Sequence, residues 1–411
     1  MNNFFTPKQE ELVCDFKHGK LKRINILEGS VRSGKTWISL ILFAIWVATM
    51  PETESYLMVG KTMTALKRNC LEPLRDLVGE NNFNYSFSSK EGMLFGRRVY
   101  LEGVNDTRAE GKIRGLTLAG AYGDEVSLFT EDFFTMLLSR LSVTGAKFIG
   151  TTNPDAPQHW LQVQYLKRSG ELNLYCNQFL IDDNTTLDPK YVEAIKAEYT
   201  GVYYQRFILG KWVVAEGLVY AMFNPEKHVI DAFDESDESD PLLKQYFISI
   251  DYGTANPFAA LLWRIDNEGR GILVKEYYYN SREKREQLSD EEYYRDLEKF
   301  ATIEGEPLEV ELLVIDPSAA SFIELIRQRG RFVYRKGDNA VLEGIRYTSM
   351  LMNRGYILID KRCTHTIDEL RAYAWDGKSQ EDKVIKEHDH AMDAMRYFVK
   401  TVLYKRMRGW W

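Results

Sequence analysis

The octapeptide Gly29-Ser30-Val31-Arg32-Ser33-Gly34-Lys35-Thr36 fits the pattern G-x-x-x-x-G-K-[S/T], and it constrains the fold more than any other segment. It follows the apolar run Ile24-Asn25-Ile26-Leu27 and precedes a long apolar helix candidate, which is the strand, loop and helix context the pattern requires. In such a loop the glycines let backbone N–H groups turn inward around phosphate oxygens, while the lysine ammonium reaches the β and γ phosphates. The Thr36 hydroxyl can ligate Mg²⁺, and the helix that opens at the loop favours an anion at its N-terminus. Gly29, Ser30, Arg32, Ser33, Gly34, Lys35 and Thr36 are therefore expected to hold ATP, in an α/β unit with a parallel sheet.

A chain of 411 residues is too long for one ordinary domain and predicts two or three. With 45% apolar residues and no low-complexity tract, the composition is globular. Cys14, Cys70, Cys176 and Cys363 form no C-x-x-C pair, so neither a disulfide framework nor a zinc site is indicated. No signal peptide is apparent, and the most apolar stretch, residues 37–50, is shorter than a membrane span and reads as a buried helix. A net charge of −7 supplies no global attraction to nucleic acid, so DNA contacts must come from local basic patches.

The first part of the chain alternates strand and helix patterns, with strands expected at residues 23–27, 55–59, 98–101, 117–122 and 147–150. Residues 189–212 turn helical and aromatic, as a small connecting subdomain would. Residues 231–240 then carry six acids, which read as an exposed acidic loop. A second α/β unit follows, with strands expected at 245–250, 259–264, 271–277, 310–315 and 356–359 and a helix from about His388. The expected boundaries are 1–180, 181–240 and 241–411.

Two constellations carry chemistry. In the first, a strand delivers Asp124 and Glu125 to its C-terminal end; Asp124 is expected to hold Mg²⁺ through water and Glu125 to polarise the attacking water. Asn153, in Thr151-Thr152-Asn153-Pro154, ends the next strand and can sense the γ-phosphate. A guanidinium is needed against charge developing on the γ-phosphoryl group. Arg32, Arg108, Arg114 and Arg140 are candidates, and the sequence does not choose among them. Gln9 can face the adenine edge, although a helix cap at Thr6 followed by Pro7 accounts for much of that segment.

In the second constellation, Asp251 and Asp316 each end a strand, and a helix presents Asp389, His390 and Asp393 at spacings of three and four that share a face. Acids so placed can hold hard divalent cations, one activating water and one stabilising the departing 3′ oxygen of a phosphodiester. Glu276 also ends a strand and can join them, with a structural role equally compatible.

Together these segments, with residues 204–212 and 216–220, resemble the terminase large subunit of tailed bacteriophages, particularly its short branch from phages and prophages of Gram-positive bacteria. The resemblance covers nearly the whole chain. It implies a P-loop NTPase domain followed by an RNase H-like nuclease domain. Lys35, Thr36, Asp124 and Glu125 take ATPase roles; Asp251, Asp316 and Asp393 bind Mn²⁺ or Mg²⁺, with His390 auxiliary. It also implies that concatemeric double-stranded DNA is cut and driven into a procapsid, with a terminase small subunit and the portal protein as partners. A homo-oligomeric ring on the portal, no membrane partner and a place in the host bacterial cytoplasm, outside the mature virion, complete that expectation. Lys61, Lys67, Arg68, Arg335 and Lys336 are candidate DNA grips, and the tail from Lys405 to Trp411 mixes cations with aromatics. The alternatives are a helicase or repair ATPase fused to a nuclease, and a nucleotide-regulated binding protein that does not cut.

Overall fold

A computed structural model describes residues 4–104, 109–233, 245–253, 257–377, 379 and 382–407. The chain forms two compact units, Met1–Ala197 with Val202–Val214, and Glu198–Gly201 with Ala215–Trp411. The segment 181–240, expected to be a connector of its own, is shared between them. Its aromatic helical part joins the first unit because it packs on the phosphate loop: Val31 N–H donates to the Phe207 carbonyl at 2.9 Å, and the Trp212 indole donates to Glu28 at 2.7 Å. Most of the acidic run, residues 234–240, lies outside the described residues, as do Arg108 and residues 408–411 of the tail.

The first unit is built on an eight-stranded sheet: β1 (Ile24–Gly29), β2 (Ser55–Gly60), β3 (Phe83–Ser86), β4 (Glu91–Leu94), β5 (Arg97–Gly103), β6 (Gly120–Gly123), β7 (Lys147–Thr152) and β8 (Leu174–Phe179). Their order is β3-β4-β5-β2-β6-β7-β1-β8, parallel throughout except for the β3–β4–β5 meander at one edge. The expected strand at 117–122 forms as the shorter β6, whose small residues Gly120 and Ala121 pair with β2 on one side and β7 on the other. The apolar stretch behind the phosphate loop forms the Lys35–Thr49 helix, whose Ile38, Leu42, Phe43 and Val47 enter the core. Among the described residues no helix is long and apolar enough to cross a membrane.

The second unit carries a seven-stranded mixed sheet. It comprises β9 (Val229–Ile230), β10 (Gln245–Asp251), β11 (Phe258–Ile265) and β12 (Gly271–Tyr279), then β15 (Val310–Ile315), β16 (Tyr334–Lys336) and β17 (Ile357–Asp360). A separate two-stranded ladder pairs β13 (Thr302–Ile303) with β14 (Glu306–Pro307). The order is β16-β15-β10-β11-β12-β17-β9. The central β10, β11 and β12 are antiparallel, and β15 and β16 add in parallel beyond β10. That is the arrangement expected of an RNase H-like unit. All eight residues of β11 are buried, as a strand covered on both faces requires. The His390–Phe398 helix packs on this centre through Phe398, which stacks on Trp263 with centroids 4.5 Å apart, while Trp263 donates to Ser249 at 3.0 Å.

Candidate active sites

In the first unit the phosphate loop leaves the end of β1 at the C-terminal edge of the parallel strands, where open α/β sheets bind ligands. Gly29 is indispensable: its φ is +133°, and a Cβ there would lie 1.9 Å from the Phe179 carbonyl oxygen. Ser30 N–H donates to that carbonyl at 2.9 Å, the Ser33 hydroxyl donates to the Ser30 carbonyl at 2.9 Å, and the Asn184 amide donates to the Arg32 carbonyl at 2.7 Å. The loop is thus shaped by its own partners. Lys35 is buried and donates to the Ser30 carbonyl and to the Asn153 side chain, both at 2.8 Å. Burial pulls its ammonium down to about 8, against the opposing charges of Glu125 and Asp124.

Two strands away, Asp124 is buried beside the end of β6. Thr151, on the intervening β7, donates its hydroxyl to Asp124 at 3.0 Å and accepts the Glu125 N–H at 3.3 Å, so one side chain orients both acids. The Asn69 amide holds the other Asp124 oxygen at 3.1 Å. Arg32 and Glu125 both adopt left-handed backbone (φ 57° and 54°), uncommon for residues with a Cβ and the kind of strain that collects at functional sites. A cavity of about 330 Å³ is lined by Arg32, Lys35, Thr36, Asp124, Glu125, Thr151 and Asn153, joined by Arg68 and Asn69.

In the second unit the parallel pairing of β10 with β15 sets Ile250 opposite Ile315, so the acids that follow, Asp251 and Asp316, emerge side by side. The Asp316 N–H donates to the Ile250 carbonyl at 3.0 Å, and Ser318 holds both carboxylate oxygens of Asp316 at 2.8 Å. His390 bonds Asp251 through Nδ1 at 2.8 Å. One helical turn on, Asp393 accepts from the buried Arg396 at 2.8 Å and lies 3.3 Å from the Lys386 ammonium, which also pairs with Asp389 at 3.0 Å. Asp251, Asp316, Asp389, His390, Asp393 and Lys386 all line one cavity of about 520 Å³.

Burial, with the neighbouring charges of Asp393 and Asp316, raises the Asp251 carboxyl to about 6, although the His390 hydrogen bond pulls it down. Burial would lower His390, but its bond to Asp251 and the charges of Asp251, Asp389 and Glu369 outweigh that and raise it. Among the described residues no three metal-binding side chains already stand together as a ligand cluster. Asp251, Asp316 and Asp393 are each drawn instead to a private partner, His390, Ser318 and Arg396. Their chemistry still fits a hard divalent cation: oxygen donors only, turned to one cavity, with burial and mutual repulsion acting on Asp251.

The family model for the terminase large subunit, T4likevirus-type, N-terminal, matches residues 26–226. No curated protein matches the chain. Among solved structures, a large terminase from a thermophilic bacteriophage is 37% identical, covers 97% of this chain and 99% of its own, and superposes with a TM-score of 0.89. The chain belongs to the phage large terminase family. The same thermophilic phage protein solved with ADP (36% identity, coverage 97% and 100%, TM-score 0.87) and with ATP-γ-S (37%, 97% and 99%, 0.86) is equally similar. As a large terminase the chain is an ATP-driven DNA-packaging motor with nuclease activity, an ATPase and a nuclease in one polypeptide.

Within this terminase the structure brings together most of the residues singled out by sequence. Arg32 faces the nucleotide cavity. Arg114 and Arg140 do not line it: Arg140 donates to the Arg114 carbonyl at 2.5 Å, and Arg114 pairs with Glu110 at 2.8 Å. Gln9 closes a capping box with Thr6 and donates to the Gly34 carbonyl at 3.4 Å, so its amide is engaged with the helix cap and the phosphate loop. Glu276 does not join the acid cluster, because its carboxylate caps another helix. Lys61 and Lys67 are engaged with the Leu128 carbonyl and with Glu72, while Arg335 and Lys336 stand exposed on β16.

Sequence reasoning missed Asn69 and assigned Arg68 to DNA. Both ride a π-helical turn, Lys67–Leu71, an irregularity no pattern announces and one common at functional sites. It also missed Arg396 and Lys386. The available signals were the i, i+3 spacings of Asp393 with Arg396 and of Lys386 with Asp389.

Proposed function

We propose that the first unit hydrolyses ATP with Lys35 against the β and γ phosphates, Thr36 and Asp124 holding Mg²⁺, and Glu125 polarising the attacking water. Arg32 stabilises charge on the γ-phosphoryl group, and Asn153, bonded to Lys35, reports its loss. In the second unit Asp251, Asp316 and Asp393 hold Mn²⁺ or Mg²⁺, and His390 keeps the Asp251 carboxylate oriented. Bound there, the cations would supply Lewis-acid activation of water and charge stabilisation on the departing 3′ oxygen, as Mg²⁺ would neutralise phosphate charge in the first site. The substrate is concatemeric double-stranded DNA, cut in the second unit and driven into a procapsid by the first. Partners are a terminase small subunit, the portal protein and further copies in a ring, and the place of action is the host bacterial cytoplasm. The proposed domain division is an ATPase domain and a nuclease domain, with the connecting residues 181–240 divided between the two compact units.

The observation that carries this reading is the convergence of three acids from two adjacent strands and a helix on one cavity, in a chain whose other unit holds a complete phosphate-loop site. The test is reciprocal inactivation in the full chain. Lys35→Ala should abolish ATP turnover and leave Mn²⁺-dependent plasmid cleavage intact; Asp251→Ala should do the reverse. Full cleavage by Asp251→Ala would bring down the three-acid site.

A further inference from the structure

The helix that carries His390 and Asp393 begins without a cap of its own. A helix N-terminus leaves unpaired N–H groups, usually met by the side chain of the residue before it. Here that residue, Asp389, makes no cap bond and pairs with Lys386, and the preceding His388 has a left-handed backbone (φ 52°). The cap comes from another helix. Glu369, only 5% exposed, accepts the N–H groups of Ala391 at 2.8 Å and Met392 at 3.2 Å through one carboxylate oxygen. Its other oxygen accepts the Tyr278 hydroxyl at 2.9 Å.

The helix of Glu369, Thr364–Ala372, is itself capped from β12. Glu276 accepts the N–H groups of His365 at 2.8 Å and Thr366 at 2.9 Å, and the Thr366 hydroxyl at 2.7 Å. Glu276 and Tyr278 are two apart on β12 and so share a face of the sheet, and Tyr278 stacks on His365 at 4.4 Å. Strand β12 thus fixes one helix by a carboxylate cap, that helix fixes the next by a second, and Tyr278 braces the second carboxylate. Burying a carboxylate is costly, and the hydrogen bonds from Tyr278, Ala391 and Met392 offset that cost only in part. Any helix start needs an acceptor, but this one sits under the turn that carries His390 and Asp393, so the group that holds the cap also holds those two side chains.

We propose that Glu369 is a positioning residue of the nuclease. Through the cap it sets where Asp393 and His390 stand relative to Asp251 and Asp316, and so the divalent-cation concentration at which the site fills. The proposal rests on the three-acid reading of that site. Groups behind metal ligands typically change metal affinity 10- to 100-fold when altered.

The test is an Mn²⁺ titration of plasmid cleavage by the full chain, as wild type, Glu369→Gln, Tyr278→Phe and Asp251→Ala. Glu369→Gln should raise the half-saturating Mn²⁺ concentration roughly tenfold while the rate at saturating metal stays within about twofold. Tyr278→Phe should move it the same way by roughly twofold to threefold, through the loss of one hydrogen bond to Glu369. An unmoved half-saturation point, or an equal loss of rate at every metal concentration, overturns the proposal. Should Glu369→Gln fail to fold, the Tyr278→Phe titration decides alone. Cleavage retained by Asp251→Ala would instead sink the three-acid reading; Asp251→Ala inactive with both curves unmoved sinks the positioning role only.

Discussion

The two sites of this terminase are built by opposite strategies from similar parts. Both set acids at the C-terminal ends of strands, yet the nucleotide site takes Arg32, Lys35 and Thr36 from one loop of eight consecutive residues, and the nuclease site takes three acids from three distant elements. Bonds to the loop's own backbone shape the first: Ser30 N–H bonds the Phe179 carbonyl, the Ser33 hydroxyl and the Lys35 ammonium bond the Ser30 carbonyl, and the Asn184 amide bonds the Arg32 carbonyl. The second has no such loop. Its acids are aimed by side chains behind them, namely Ser318, Arg396 and His390, and by the helix packing under them. A site written in contiguous sequence should therefore resist changes in its surroundings, and one assembled by packing should be disabled from a distance.

The largest expected effect tests that contrast at Gly344. A Cβ there would lie 2.2 Å from Cγ and 2.5 Å from Cδ of Arg396, the buried guanidinium that holds Asp393. These atoms lie near the root of a side chain with nowhere to go, so Gly344→Ala must displace Arg396 and release Asp393. Cleavage by the full chain should fall roughly a hundredfold with ATP turnover unchanged. Wild-type cleavage by Gly344→Ala would show that Arg396 does not aim Asp393.

This asymmetry also decided what the sequence could reveal. The phosphate loop was legible because its spacing is its function, and Asp124 was legible because β6 ends on it despite Ala119, Gly120 and Ala121. Asp251, Asp316 and Asp393 could be named as strand-end and helix acids. Their private partners could not, because the contacts of Arg396 with Gly344, and of Glu369 with Ala391 and Met392, join residues 22 to 52 positions apart across different helices. Glu276 illustrates the limit: a strand-end acid reads alike whether it faces a metal or caps a helix. Asn69 depended on a π-helical turn that shifts register by one residue, which no apolar periodicity records.

A second prediction concerns the charge buried in the relay. Burial raises the Glu369 carboxyl to about 7, against the Tyr278 hydrogen bond, the amides of Met392 and Ala391 and the charge of His390. A carboxyl raised in the fold contributes stability that is fully present below its unfolded value near 4.5 and is lost as pH rises through about 7. Wild type should therefore lose roughly 2 kcal/mol relative to Glu369→Gln between pH 5 and pH 8. Denaturant midpoints of both proteins at four pH values would check it, and parallel curves would mean that Glu369 ionises freely in the folded chain.

The smallest effect is expected where the nucleotide site leans on a distant residue. Asn153 is the one side chain from beyond the loop that bonds the Lys35 ammonium in the described structure, and the Ser30 carbonyl bonds the same nitrogen at the same 2.8 Å. Removing Asn153 forfeits one hydrogen bond to a charged group, about 1.5 kcal/mol at the lower end of such bonds. Steady-state ATP turnover by Asn153→Ala should drop about tenfold, far short of the loss in Lys35→Ala, with KM little changed if the bond matters most as charge builds on the γ-phosphoryl group. A loss as deep as that of Lys35→Ala would mean that the loop does not organise its lysine unaided. The nucleotide site would then depend on remote packing as much as the nuclease does.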